Sequence, residues 1–172
     1  MEKATPASNI VIRRAAVDDA EALSNFMNVL ADETLDTIPG LRLTPEEERE
    51  LLQKASDKER AFALLALDGT HIVGTLGLWA EEEPHVRHGG RLGMSVLAPY
   101  RRKGTGRKLL KTAIRESKAW PGFCRVELDV VLWNEPAIHL YGSLGFVREG
   151  IKRKAVKYHG KPDDMILMAL VW

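Results

Sequence analysis

Between Arg91 and Val131 the chain passes from a strand-like segment, RLGMSVL, through a turn holding Gly104 and Gly106 into an amphipathic run, RKLLKTAIRESK. It leaves that run through a second strand-like segment, FCRVELDVV. The order and length are those of a strand, helix, strand crossover, which leaves its two strands parallel or splayed. Elsewhere the turn signals point the other way: Asp68-Gly69 reads as a tight hairpin and His159-Gly160-Lys161-Pro162 as the tip of a longer one, and hairpins make antiparallel neighbours. One crossover among hairpins demands a mixed, mostly antiparallel sheet. Ligands of such sheets bind at strand ends where neighbours part.

Period-two or β-branched runs predict seven strands, at Asn9 to Arg14, Ala61 to Leu67, Ile72 to Trp79, Arg91 to Leu97, Phe123 to Val131, Phe146 to Arg153 and Met165 to Val171. About four helices fall between them: Asp18 to Leu30, a helix opened by the capping box of Thr44, Pro45 and Glu47 and running to about Ala55, Gly106 to Lys118, and Glu135 to Leu144. The expectation is an α/β (α+β) protein whose residues 1–172 form one domain.

Charge narrows the function classes. A formal net charge of +1 argues against a broad nucleic-acid or membrane surface, while leaving room for a local basic patch. No apolar run is long enough for a signal peptide or a membrane span, so a cytoplasmic protein is expected. The single cysteine, Cys124, precludes an internal disulfide framework and a thiolate zinc cage, and its strand context reads as a buried small hydrophobe.

The basic patch lies in the crossover turn. Arg101, Arg102, Lys103, Gly104, Thr105 and Gly106 stand directly after one strand and directly before a helix. Glycine permits positive φ and close approach of a ligand to the backbone, and the free N–H groups of the helix start carry the positive end of its dipole. Together these make an anion cradle suited to a pyrophosphate. The spacing is neither that of a P-loop nor that of the dinucleotide fingerprint.

A second constellation, NEPAIHLYGSLGF, follows at Asn134 to Phe146. Asn134 is a natural N-cap, Pro136 belongs in a first helical turn, and Ala137 and Tyr141 share one helix face. Gly145 then ends the helix.

Both constellations together resemble the GCN5-related N-acetyltransferase superfamily, over nearly the whole chain. Its acetyl-coenzyme A motif is met by Arg101, Gly104 and Gly106, and its Asn-x-x-Ala-x-x-x-Tyr signature followed by Gly-Phe by Asn134, Ala137, Tyr141, Gly145 and Phe146. The resemblance implies that family's fold, splayed at the central strands. It also implies acetyl-coenzyme A as co-substrate, its pyrophosphate held by the amides of residues 101–106 and its pantetheine arm beside Val96 and Asn134. Arg107, Lys108 and Lys111 are candidates for the ribose phosphate.

The implied reaction is direct transfer of an acetyl group from a thioester to a primary amine of a small molecule or amino acid. The runner-up acceptor is a protein N-terminus, and a non-catalytic acyl-coenzyme A binding module is the alternative class. An amine titrating near ~10.4 must lose its proton, and a departing thiol titrating near ~8.5 benefits from a donor. Tyr141 is the candidate acid by resemblance. Asp129 leads for the base, with Glu127 on the same strand face, His88, or a water-mediated route as alternatives. The His85-x-x-His88 spacing carries no clustered carboxylates beyond the run of Glu81 to Glu83, so no metal is expected.

The acceptor side falls to the segment from Glu33 to Leu43, where Asp32, Glu33 and Asp36 are candidates to attract a cationic amine. The ending from Gly160 through Asp163 to Met168 is similar to those of bacterial amino-acid and ribosomal-alanine acetyltransferases. The apolar terminal segment LMALVW reads either as a long apolar edge, which makes a homodimer through the C-terminal strands an expectation, or as a strand buried in its own core.

Overall fold

The computed structural model describes residues 9–34 and 42–172. In chain order it holds β1 (Val11–Arg14), α1 (Ala20–Thr34), α2 (Pro45–Ser56), β2 (Ala61–Asp68), β3 (His71–Ala80), β4 (Gly89–Val96), α3 (Thr105–Ser117), β5 (Arg125–Val131), α4 (Glu135–Gly142), β6 (Val147–Tyr158) and β7 (Lys161–Val171). Single turns of 3-10 helix at Val17–Asp19 and Ala98–Tyr100 precede α1 and α3. Neither turn has a periodic signature in the sequence.

All seven strands join one sheet in the order β1-β2-β3-β4-β5-β7-β6. Every pair is antiparallel except β4 with β5, the two ends of the crossover. The mixed, mostly antiparallel sheet expected from the turn chemistry is therefore the one observed.

Alternation along the strands gives the sheet two apolar faces. On one, α3 lays Thr105, Leu109, Ala113 and Ser117, each four residues apart, against Leu64, Leu76, Leu78, Val126 and Leu128. Complete burial of Leu109 and Leu110 stabilises this layer by about 2 kcal/mol per side chain. On the other, Leu23, Phe26 and Leu30 of α1 and Leu52 of α2 cover Leu65 and Ile72. The capping box drawn from sequence opens α2: Thr44 accepts from the Glu47 amide, and Glu47 Oε2 accepts from the Thr44 amide at 2.8 Å.

Two expectations need correction. The apolar terminal strand is not an edge: β7 is paired on both sides, with β5 and with β6, and its side chains Ile166, Met168 and Ala169 are buried in this chain's own sheet. The edge is β6, so the argument for a dimer through β7 does not hold. The second hairpin is also longer and tighter than its sequence indicated. His159 (φ 48°) and Gly160 (φ 74°) form a two-residue turn, and Lys161 and Pro162 already belong to β7. The ribbon from Lys154 to Asp164 begins within a register shift between Lys152 and Val156, which breaks the period-two signal.

Candidate active site

The sheet opens where the crossover begins. β4 and β5 pair only over Gly89↔Arg125, Gly90↔Val126 and Arg91↔Glu127. Beyond that point β4 continues along β3 to Val96, while β5 continues along β7 to Val131. The facing edges of residues 92–96 and 128–131 no longer pair with each other, leaving a notch. A cavity of about 370 Å³ fills it, lined among others by Met94, Val96, Arg101, Gly104, Gly106, Asn134 and Tyr141.

The turn above the notch is shaped by backbone. Arg102 (φ 60°) and Gly104 (φ 87°) both take the left-handed conformation, and Gly104 caps α3. The first intrahelical bond runs from the Lys108 amide to the Gly104 carbonyl at 3.0 Å, so the amides of Thr105, Gly106 and Arg107 have no acceptor within the helix. Gly106 must stay small. A Cβ there would meet Leu140 Cδ2 and Met94 Cε at 3.2 Å, and both side chains line the cavity. The turn is pinned from behind by Tyr100, whose hydroxyl donates to Asp68 Oδ2 at 2.8 Å.

Arg101 does more than add charge. Its Nε donates to the Val96 carbonyl at 2.7 Å and its Nη2 to Glu33 Oε2 at 2.7 Å, while the Glu33 carboxylate also accepts from the Ala98 amide at 3.0 Å. One ion pair thus ties the end of α1 to the end of β4 and to the turn. This corrects the reading of Glu33 as a free attractor of amines. Asp32 pairs with Arg42, and Asp36 lies outside the described residues.

On α4, the Asn134 side chain accepts from the Ala137 amide at 3.3 Å and caps the helix. Its position there brings Tyr141, two turns later, to the notch. Tyr141 is 6% exposed and its ring lies 5.7 Å from that of Phe146. Its hydroxyl has no protein partner among the described residues, and burial pushes the phenol up to about 12.

Several of the sequence candidates, Lys103, Thr105, Lys108, Asp129, Glu127, His85 and His88 among them, do not line the cavity. Lys103 places Nζ over the Tyr100 ring. Thr105 offers its amide to the turn but buries its side chain, leaving Oγ1 without a partner among the described residues. Asp129 lies on the opposite sheet face, as alternation requires, with Glu127 beside it. There Lys152 donates to Asp129 Oδ2 at 2.7 Å, and Glu127 is held by Arg91 and Arg125, each at 3.0 Å. His85 and His88 lie exposed in the β3–β4 connection. Lys108 reaches the Ile10 carbonyl at 3.5 Å, and Arg107 donates to Ser143 Oγ at 2.8 Å. Cys124 is half-buried, and no cluster of three His, Cys, Asp or Glu able to hold a metal occurs among the described residues.

Sequence reasoning missed Met94, Pro136, His139 and Leu140 as lining residues. Helical spacing from Pro136 and strand alternation from Val96 were signals that could have found them. No local signal marks the pairing of Glu33 with Arg101.

Residues 27–146 match the acetyltransferase (GNAT) family. The chain is 27% identical over 164 residues, 95% of its length, to the L-amino acid N-acetyltransferase of Escherichia coli strain K12, of which the match spans 99%. Among solved structures, an acetyltransferase of the GNAT family from Streptococcus pneumoniae superposes with a TM-score of 0.88 at 32% identity, covering 95% of this chain and 100% of that one. The yncA protein of Salmonella typhimurium, solved with its cofactor acetyl-CoA, superposes with a TM-score of 0.83 at 20% identity, covering 94% and 93%.

Proposed function

The chain belongs to the acetyltransferase (GNAT) family, and from that premise we propose that it moves an acetyl group from acetyl-coenzyme A to the primary amine of a free amino acid or similar small molecule. The observation that carries the reading is the convergence of the positive-φ turn, the open strand edge and the Tyr141 hydroxyl on one cavity. The similarity to an L-amino acid N-acetyltransferase along almost the full length of both chains supports the acceptor class.

The residues fit that co-substrate. The unpaired amides of 105–107, together with Arg101, Arg102 and Arg107 around the cavity, suit a pyrophosphate. Gly106, where a Cβ would already crowd Leu140 and Met94, leaves room for the pantetheine arm beside the freed edge of β4. Bound there, acetyl-coenzyme A supplies the acetyl group as a thioester.

Tyr141 Oη keeps its proton throughout the neutral range, since burial raises its pKa to about 12. Full proton transfer to a thiolate whose conjugate acid titrates near ~8.5 would be uphill. Tyr141 therefore acts as a fixed hydrogen-bond donor into the cavity, stabilising negative charge that develops on the departing sulfur. On the other face, Asp129 is the first carboxylate past the last β4–β5 pair. Lys152 holds and orients it, and in this reading it accepts the proton of the incoming amine. Glu127, bound to both Arg91 and Arg125, closes the apex of the notch.

Thiol release from acetyl-coenzyme A, followed across free amino acids, polyamines, aminoglycosides and short peptides, tests the reading. Release with amino acids or other small amines is expected. Release with peptides alone would overturn the small-molecule acceptor in favour of a protein N-terminus. Binding of the coenzyme without release for any amine would favour a non-catalytic binding module.

A further inference from the structure

Trp79 is a large apolar side chain left 46% exposed on the sheet face opposite α3. Its indole does not stand away from the sheet. A Cβ built on Gly77 would fall 2.0 Å from Trp79 Cη2 and 2.7 Å from Cζ2 and Cζ3, so the ring lies back along its own strand over a bare backbone. Across the ladder Gly77 pairs with Gly93, and among the described residues nothing comes within 4 Å of a Gly93 Cβ. Glycine inside a strand weakens it and frequently marks a close approach by a ligand. The indole thus fills the space above Gly77, and the trough that stays open is the floor over Gly93, with the indole along its side.

The trough leads to the notch. Gly93 follows Leu92 beyond Arg91, the last β4 residue paired with β5, so its outer side lies where an amine must pass to reach a thioester between the strands. The charges around it are already matched: Arg91 binds Glu81 and Glu127, Arg125 binds Glu127 and Glu149, and Lys152 binds Asp129. Among the described residues around the trough, no row of unpaired carboxylates waits for a polycation.

Resting on the acetyltransferase reading above, we propose that the open floor at Gly93, beside the Trp79 indole that covers Gly77, seats a flat apolar group of the acceptor, making this an acetyltransferase for amines and amino acids that carry an aromatic ring. The indole stacks on that ring while the acceptor's amine reaches over Gly93 to the notch.

The test compares acceptors differing only by a ring, L-phenylalanine with L-alanine and 2-phenylethylamine with ethylamine, at saturating acetyl-coenzyme A. The ring-bearing member of each pair is expected to have about tenfold higher kcat/KM, the scale of one aromatic contact. Trp79→Ala and Gly93→Val should each erase that preference through the acceptor KM, leaving the KM for acetyl-coenzyme A in place. Gly93→Val fills the trough at a position with open space for the new side chain, so its melting temperature should not fall. Equal kcat/KM for both members in the wild type, or a ring preference surviving in both variants, would overturn the proposal. Binding of 2-phenylethylamine to the coenzyme A complex, followed by NMR, reads the trough without turnover. Binding there that Trp79→Ala abolishes would uphold the trough even if no acetyl transfer occurred, and no binding would sink it whatever the transfer assay shows.

Discussion

On the face that carries α3 and α4, the sheet presents backbone to its ligand: unpaired amides, two left-handed residues and a glycine that leaves the notch open. On the face that carries α1 and α2, it presents side chains, an exposed indole and a lattice of paired charges. A cradle made of backbone depends on a few residues at fixed spacing. A surface made of side chains depends on which strands come to lie beside one another.

Gly106→Leu should break the cofactor face most completely. Leucine favours a helix over glycine, so α3 should form, but the side chain would be driven between Met94 and Leu140 into the cavity. Acetyl-coenzyme A affinity, measured by calorimetry, is expected to fall about a hundredfold, the cost of filling a preformed site. Tyr141→Phe removes one donor without moving the cradle. It should lower kcat about 30-fold, on the scale of losing one positioned proton donor or charge-stabilising hydrogen bond, with coenzyme affinity unchanged. Because Tyr141 titrates only near 12, kcat/KM should rise with pH as the acceptor amine deprotonates, with no downturn by about pH 10. A wild-type downturn that vanishes in the phenylalanine variant would show that burial has not raised this phenol.

The same division explains what the sequence made legible. Arg101, Gly104, Gly106, Asn134 and Tyr141 stood out in the sequence because they fall at local spacings that mark a turn, a cap or a helix face, although the partners of Arg101 and Gly106 include the distant Glu33 and Leu140. The parallel pairing of β4 with β5 was legible from the length of the crossover alone. The splitting of the strands after Arg91, the placing of Gly77 against Gly93 and the bridge from Glu33 to Arg101 depend on register across the sheet, and no local pattern records it. The terminal strand left two readings open for a related reason: apolarity reveals that a segment is buried, not what covers it, and β6 lies on the far side of β7.

Glu33→Gln sharpens the comparison, because Glu33 is a side chain of the α1 layer that supports the backbone cradle across the sheet edge. Loss of its charge weakens the hold on Arg101 Nη2 and the Ala98 amide. Since this pair is partly exposed, about a threefold rise in the KM for acetyl-coenzyme A is expected, with kcat nearly constant. A fall in kcat with unchanged KM would place Glu33 in the acceptor chemistry instead.

The smallest effects separate the two layers by pH. Each buries a polar group: Thr105 Oγ1, without a partner among the described residues, under α3, and Glu48 where α2 packs on the turn before α1. Thr105→Val removes a neutral hydroxyl and should stabilise the protein by about 1 kcal/mol, the cost of an unsatisfied buried group. That gain should not vary with pH. Glu48 differs because burial, aided by the charge of Glu47, raises its pKa above 4.5. An acid whose folded pKa lies above its unfolded value binds its proton more tightly in the folded state, so ionisation costs stability as pH rises through that interval. Glu48→Gln should therefore melt near the wild type at about pH 4 and above it at about pH 8, where only the wild type carries the buried charge. A gain independent of pH would mean that Glu48 acts through packing alone, and the two layers would then bury these polar groups on equal terms.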